Sequence, residues 1–255
     1  MRLRRVIEHV REQNWTAIGI DLVIVIVGVF IGIQVANWNE TRLEDVRAQA
    51  YLARLQDNLG TDLQSIDLRE AFWKKVADYG DQAVAYAEDG TLVDGSAWKT
   101  ALAFYQASQM WLYASDDTTY QELRSGGELG LIRDQGLRGA LSTYYREGNS
   151  ADTDYILGMI PEYRKIVRGL TPSRVSRHIW AHCHRQEEYG NQQLLDCDAP
   201  VTEAEAQAVL DAYLRDPRLM EELRFWMSNQ AVAAKMIAAN RAAAQAMQSR
   251  LEAAQ

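Results

Sequence analysis

Apolar positions follow three different rules along this chain. From 15 to 38 they are nearly continuous, and residues 17–36 include only Asp21 and Gln34 as strongly polar members. Beyond Trp38 they thin to a stripe. Leu52, Leu55, Leu59, Leu63, Ile66, Trp73 and Val76 recur at spacings of three, four or seven, which marks one helical face. Toward the C-terminus they give way to alanine, eleven of the last 25 residues, a composition that favours helix and close packing.

The continuous block predicts a membrane span. At about 1.5 Å per residue, 15–38 extends roughly 35 Å, enough to cross a hydrocarbon core of about 30 Å. Trp15 and Trp38 fall where an aromatic belt would hold the two interfaces. The competing reading is a cleaved signal peptide, whose apolar region runs about 7–15 residues and ends at small residues. Gln34-Val35-Ala36-Asn37-Trp38 is a poor cleavage site, so the reading here is a retained single-pass helix.

No proline interrupts the chain before Pro161. The helix is therefore expected to continue as a juxtamembrane stalk over 39–90, with Gly60 as the position for any bend and Gly90 as the stop. Residues 91–255 are expected to form a helical domain. A helix over 97–113 would carry two apolar faces, one with Trp98, Leu102, Tyr105 and Leu112 and one with Phe104 and Trp111. Ser115, Asp116 and Asp117 would cap a helix over 118–124, Gly126-Gly127 would break it, and Asp134 would cap the next, through Tyr145. A helix over 151–176 is expected to be disturbed at Pro161 and to end near Gly169 and Pro172. Thr202-x-x-Glu205 reads as a capping box, and Asp216-Pro217 opens a final helix to Leu251. That helix either runs back along the stalk or protrudes to pair with another protomer. The fold class is all-α.

Composition alone suggests something simpler: 35 acidic against 27 basic residues, a net charge of −8 and a mean hydropathy of −0.31 describe a soluble acidic protein. That charge excludes a general nucleic-acid binder, which needs clustered Lys and Arg. Four prolines and 16 glycines are too few for a turn-rich β-sandwich. The distribution of charge says more than its sum. The tail 1–14 holds Arg2, Arg4, Arg5 and Arg11 against Glu8 and Glu12, a net +2, which leaves −10 for the rest. Basic flanks stay cytoplasmic, so the tail is expected inside and everything beyond Trp38 outside, periplasmic in a bacterial inner membrane. Arg42 and Arg47 on the far side moderate this bias.

Two features within the span carry chemistry. Gly28, Gly32 and Ala36 form the small-xxx-small spacing that lets helix backbones approach closely in lipid. Asp21 lies seven and eleven residues from the two glycines, hence within about 20° of the same face. A carboxyl group inside a span faces a partner or water. It is either hydrogen-bonded at a homo-oligomer seam, paired with a basic residue of another membrane protein, or part of an ion or proton path.

The stretch from Ile18-Gly19-Ile20-Asp21 through Gly28, Gly32 and Gln34 to Asn37-Trp38-Asn39-Glu40 resembles a family of uncharacterised bacterial single-pass membrane proteins. Thr119-Tyr120-Gln121-Glu122-Leu123-Arg124-Ser125-Gly126-Gly127, followed by Leu131-Ile132, Leu137-Arg138 and Tyr144-Tyr145, is similar to that family's internal signature. Asp21 departs from the family's more frequent glutamate. The resemblance covers the first 60 residues and the middle well and the C-terminal third poorly. It implies topology and brings no activity.

One further cluster invites a chemical reading: His178, His182, Cys183 and His184, with Cys197 beyond. His nitrogens and Cys sulfurs suit tetrahedral zinc. In an oxidising compartment the two cysteines more simply form a disulfide, worth on the order of 3 kcal/mol. No phosphate-binding loop, nucleophile elbow or His-Glu-x-x-His motif is present, so no catalytic residue, metal or cofactor is assigned. The expected partners are membrane lipid, further copies of the chain and another membrane protein. The function read from the sequence is a non-catalytic structural or interaction protein. A sensor or accessory subunit of a membrane complex is the second reading, and a small pore or an enzyme the third.

Overall fold

The computed structural model describes residues 15–111, 114–158, 161–186 and 191–254; the basic tail 1–14 lies outside them. Among the described residues the chain is all-α apart from one small hairpin. It divides into two compact units, Met1–Tyr51 and Leu52–Gln255.

Helix α1, Trp15–Asp89, belongs to both units and runs through Gly60 without interruption. It ends where the sequence placed the stop: Gly90 takes φ +78° and returns its N–H to the Tyr86 carbonyl at 2.9 Å. In the first unit, an 18-residue window of mean hydropathy 2.0 has none of its residues buried. Twelve large apolar side chains from Ile20 to Val35 are each at least 47% exposed. Leaving such a row in water would cost roughly 20 kcal/mol, more than the net stability of most domains. Among the described residues this is the one helix long and apolar enough to cross a membrane.

In the second unit the stripe on α1 faces inward. Leu52, Leu55, Leu59, Ile66, Trp73 and Val76 are all buried. Leu63 is only half-buried, and the adjacent Asp62 occupies the buried position instead. Helix α2, Ala97–Gln106, begins at the N-cap Ser96 and is buried on nearly every side. Its first amide, that of Ala97, donates to the Glu203 carboxylate at 2.6 Å. This helix is seven residues shorter than the expected 97–113. The carbonyls that would have continued it are taken by side chains from elsewhere. Ala107 O accepts from Trp226 Nε1 at 2.7 Å, and Ser108 O accepts from Arg164.

Helix α3, Thr118–Ser125, is followed by Gly127 at φ +70°, and α4, Gln135–Gly158, is capped by Asp134 through the amides of Gly136 and Leu137. The α4 helix runs well past Tyr145. The expected helix over 151–176 is therefore three pieces: the end of α4, then α5, Glu162–Leu170, and α6, Ser173–His182. Pro161 and Pro172, with ψ of 135° and 137°, reset the chain before each new helix. Two short strands follow, β1, His184–Gln186, and β2, Gln192–Leu194, antiparallel with His184 opposite Leu194. Helix α7, Glu203–Arg215, opens on the complete Thr202/Glu205 capping box. Helix α8, Pro217–Glu252, is capped by Asp216, whose carboxylate accepts from the Arg218 amide at 3.0 Å.

Of the two expected courses for α8, the structure takes the first: it returns antiparallel along α1. Arg224 pairs with Glu88 at 3.1 Å, Trp226 meets Trp73 with ring centroids 6.0 Å apart, and Arg241 reaches Asp67 and Glu70. Between these, Gly80 lets Met227 sit where a Cβ would lie, 2.0 Å from the sulfur. A Cβ at this crossing would oblige the Met227 side chain to move.

Candidate functional site

On the span, a Cβ added at Gly28 or Gly32 would meet nothing within 4 Å, and Ala36 is exposed. The helical backbone puts Asp21 on the same face as these residues, while its side chain and that of Trp15 lie outside the described residues. Trp38 is 67% exposed. No part of this chain covers the face among the described residues.

The cysteine and histidine cluster is built at the end of α6. Cys183 caps that helix, is fully buried and is bonded to Cys197, with Cα atoms 5.2 Å apart across 14 residues. The Cys183 carbonyl accepts from the Leu195 amide and from Gln106 Nε2, at 2.9 and 2.8 Å. The Cys197 carbonyl accepts from Trp98 Nε1 at 3.1 Å. His178, Cys183 and Cys197 bring their potential ligand atoms within 4.8 Å of one another. Both sulfurs, however, are spent on the S–S bond, which leaves no thiolate for a metal. His178 Nε2 is hydrogen-bonded to the Asp198 carbonyl at 2.8 Å and its ring lies 4.5 Å from that of His182. His184 bonds Gln192 across the hairpin at 3.1 Å. The arrangement staples α6 and the hairpin to α2. Replacing both cysteines with serine is expected to lower unfolding stability by on the order of 2 kcal/mol, the low end of the usual range, because the β1/β2 ladder also closes this loop. Chemical denaturation of the oxidised protein against the double variant checks this.

Two polar centres escape the sequence patterns. The first surrounds Asp62, which is 1% exposed. Its carboxylate accepts from the Asp116 amide at 2.6 Å and the Tyr144 hydroxyl at 2.8 Å, joining α1, the start of α3 and α4. Burial is the main force that raises its pKa, to about 6. The Asp116 amide and Tyr144 hydroxyl work against it, the Asp116 carboxylate adds to it, and Arg69 opposes it. Asp116 also accepts from the Thr118 amide and hydroxyl at 3.3 and 2.8 Å. The N-cap residue of α3 is instead Asp117, whose side chain makes no cap hydrogen bond, so the expected capping is met only by this turn before the helix.

The second centre holds the chain after α2. Arg164 and Arg168, one turn apart on α5, both reach Ser108: Arg164 Nη1 donates to its carbonyl and Arg168 Nε to its hydroxyl at 3.1 Å. Arg168 Nη2 also donates to Gln109 Oε1 at 2.9 Å, and its guanidinium lies 5.0 and 5.2 Å from the ring centres of Tyr105 and Trp180. Burial lowers the pKa of both arginines, that of Arg164 to about 10, with the charge of Arg168 the next cause. In the sequence these arginines read only as the polar face of a short amphipathic helix.

No family model, curated protein or solved structure matches this chain, so the likeness to the single-pass family rests on the residues quoted for it.

Proposed function

We propose that the chain is a bitopic protein of the bacterial inner membrane. Its basic tail lies in the cytoplasm, its apolar helix crosses the bilayer, and its helical domain stands in the periplasm. The span self-associates through Asp21, Gly28, Gly32 and Ala36, and the protein acts as a non-catalytic structural or interaction component. The observation that carries this reading is the row of exposed apolar side chains from Ile20 to Val35, which suits lipid better than water. The uncovered Gly28/Gly32 face supports association, since it offers close backbone approach and shares its side of the helix with a carboxyl group that needs a partner. The Cys183–Cys197 bond is in keeping with an oxidising compartment.

The test is a membrane dimerisation assay of the span. Gly28→Ile together with Gly32→Ile is expected to reduce the association signal to that of a monomeric control, because the β-branched side chains hold the backbones apart. Undiminished association would remove these glycines from the interface.

A further inference from the structure

The Arg164/Arg168 pair has more donors than the fold uses. Fixing the Ser108–Gln109 segment takes one N–H of Arg164 and two of Arg168. Arg164 Nε and Nη2 and Arg168 Nη1 bond no protein acceptor among the described residues, and none of the three is sealed from solvent. No carboxylate pairs with either arginine there; the nearby Lys165 has its own, Glu162, at 3.0 Å. Two like charges are thus held side by side and partly desolvated, in a protein whose net charge is −8. Such an arrangement costs free energy unless a counter-charge arrives. Arg168 is moreover kept in one place by Tyr105 and Trp180, so its fork is preorganised.

We infer that Arg164 and Arg168 form an oxyanion-binding site for a phosphate group. A carboxylate has two oxygens and one charge. A phosphate monoester offers three oxygens and close to two charges, which matches two adjacent cationic guanidinium groups whose remaining nitrogens bond no protein acceptor among the described residues. The neutral Ser108 and Gln109 position the cations without competing as anions. The site is independent of how the span associates. The phosphate is borne either by a soluble molecule or by a lipid headgroup.

The experiment uses the full chain in an uncharged detergent, with inorganic phosphate titrated by calorimetry against sodium chloride of equal ionic strength. Saturable binding at one site per chain is expected, weakened about tenfold or more in Arg164→Gln and in Arg168→Gln. Should either variant fail to fold, the wild-type protein still decides: saturating phosphate should shield Arg164 and Arg168 from phenylglyoxal, read by peptide mass spectrometry. Where phosphate binds, displacement by phosphatidic acid in nanodiscs assigns a lipid source, and failure to displace it assigns a soluble one. Absence of saturable binding by either phosphate or phosphatidic acid, unchanged affinity in folded variants, or unaltered arginine modification would overturn the site.

Discussion

Replacing Trp226 with alanine is expected to lower the stability of the helical domain by about 3–5 kcal/mol, the range for a large aromatic removed from a core. The indole is 5% exposed and lies against Trp73 on α1. Its Nε1 is also the donor that takes the Ala107 carbonyl just beyond the end of α2. The substitution therefore opens a cavity between α1 and α8 and leaves a buried carbonyl without its partner. Trp226→Phe separates the two effects, since it keeps most of the volume but not the N–H, and should cost about 1–3 kcal/mol. Guanidinium unfolding followed by circular dichroism reads both. A loss below about 1 kcal/mol for the alanine variant would show that α8 does not close this core.

Stability should also fall by about 3 kcal/mol as pH rises from about 4 to 7, through Asp62. Its carboxyl has a pKa of about 6 in the folded chain against 3.8 in its ordinary state, so the folded protein holds a proton that the unfolded chain has already released. The cost of a buried charge is absent below about pH 4, grows between the two values, and is complete above pH 6. This is opposite in sign to a salt-bridged aspartate. Asp62→Asn should flatten the dependence: the amide oxygen can still accept from the Asp116 amide, and the amide nitrogen can donate to the Tyr144 oxygen. Unfolding curves for wild type and variant at pH 4, 5.5 and 7 supply the comparison. Parallel curves would mean that Asp62 is ionised at no cost where it sits.

Periodicity carried most of the helical layout. The stripe from Leu52 to Val76 and the caps at Asp134, Thr202 and Asp216 were legible because each depends on neighbours within a turn or two. The end of α2 was not, because it is set by Trp226 and Arg164, which are more than 50 residues away in sequence. The hairpin was missed for a different reason: strands of three residues are too short to display alternation. Asp62 defeats pattern reading outright. A carboxyl group next to Leu63 looks like the solvent side of the stripe, and its burial is made tolerable by the Asp116 amide and the Tyr144 hydroxyl, 54 and 82 residues on. The histidine and cysteine spacing was visible, but not the carbonyl and amide partners that engage His178 and His184.

The return of α8 along α1 fixes an order of events during synthesis. Glu88 leaves the ribosome 136 residues before its partner Arg224, and Asp67 precedes Arg241 by 174. At translation speeds of about 5–20 residues per second, the part of α1 that meets α8 waits on the order of ten seconds or more for its partner. Trp73, which packs against Trp226, is exposed to the wrong partners during that interval, and a vulnerable stage in the life of this domain is the one before its last long helix exists.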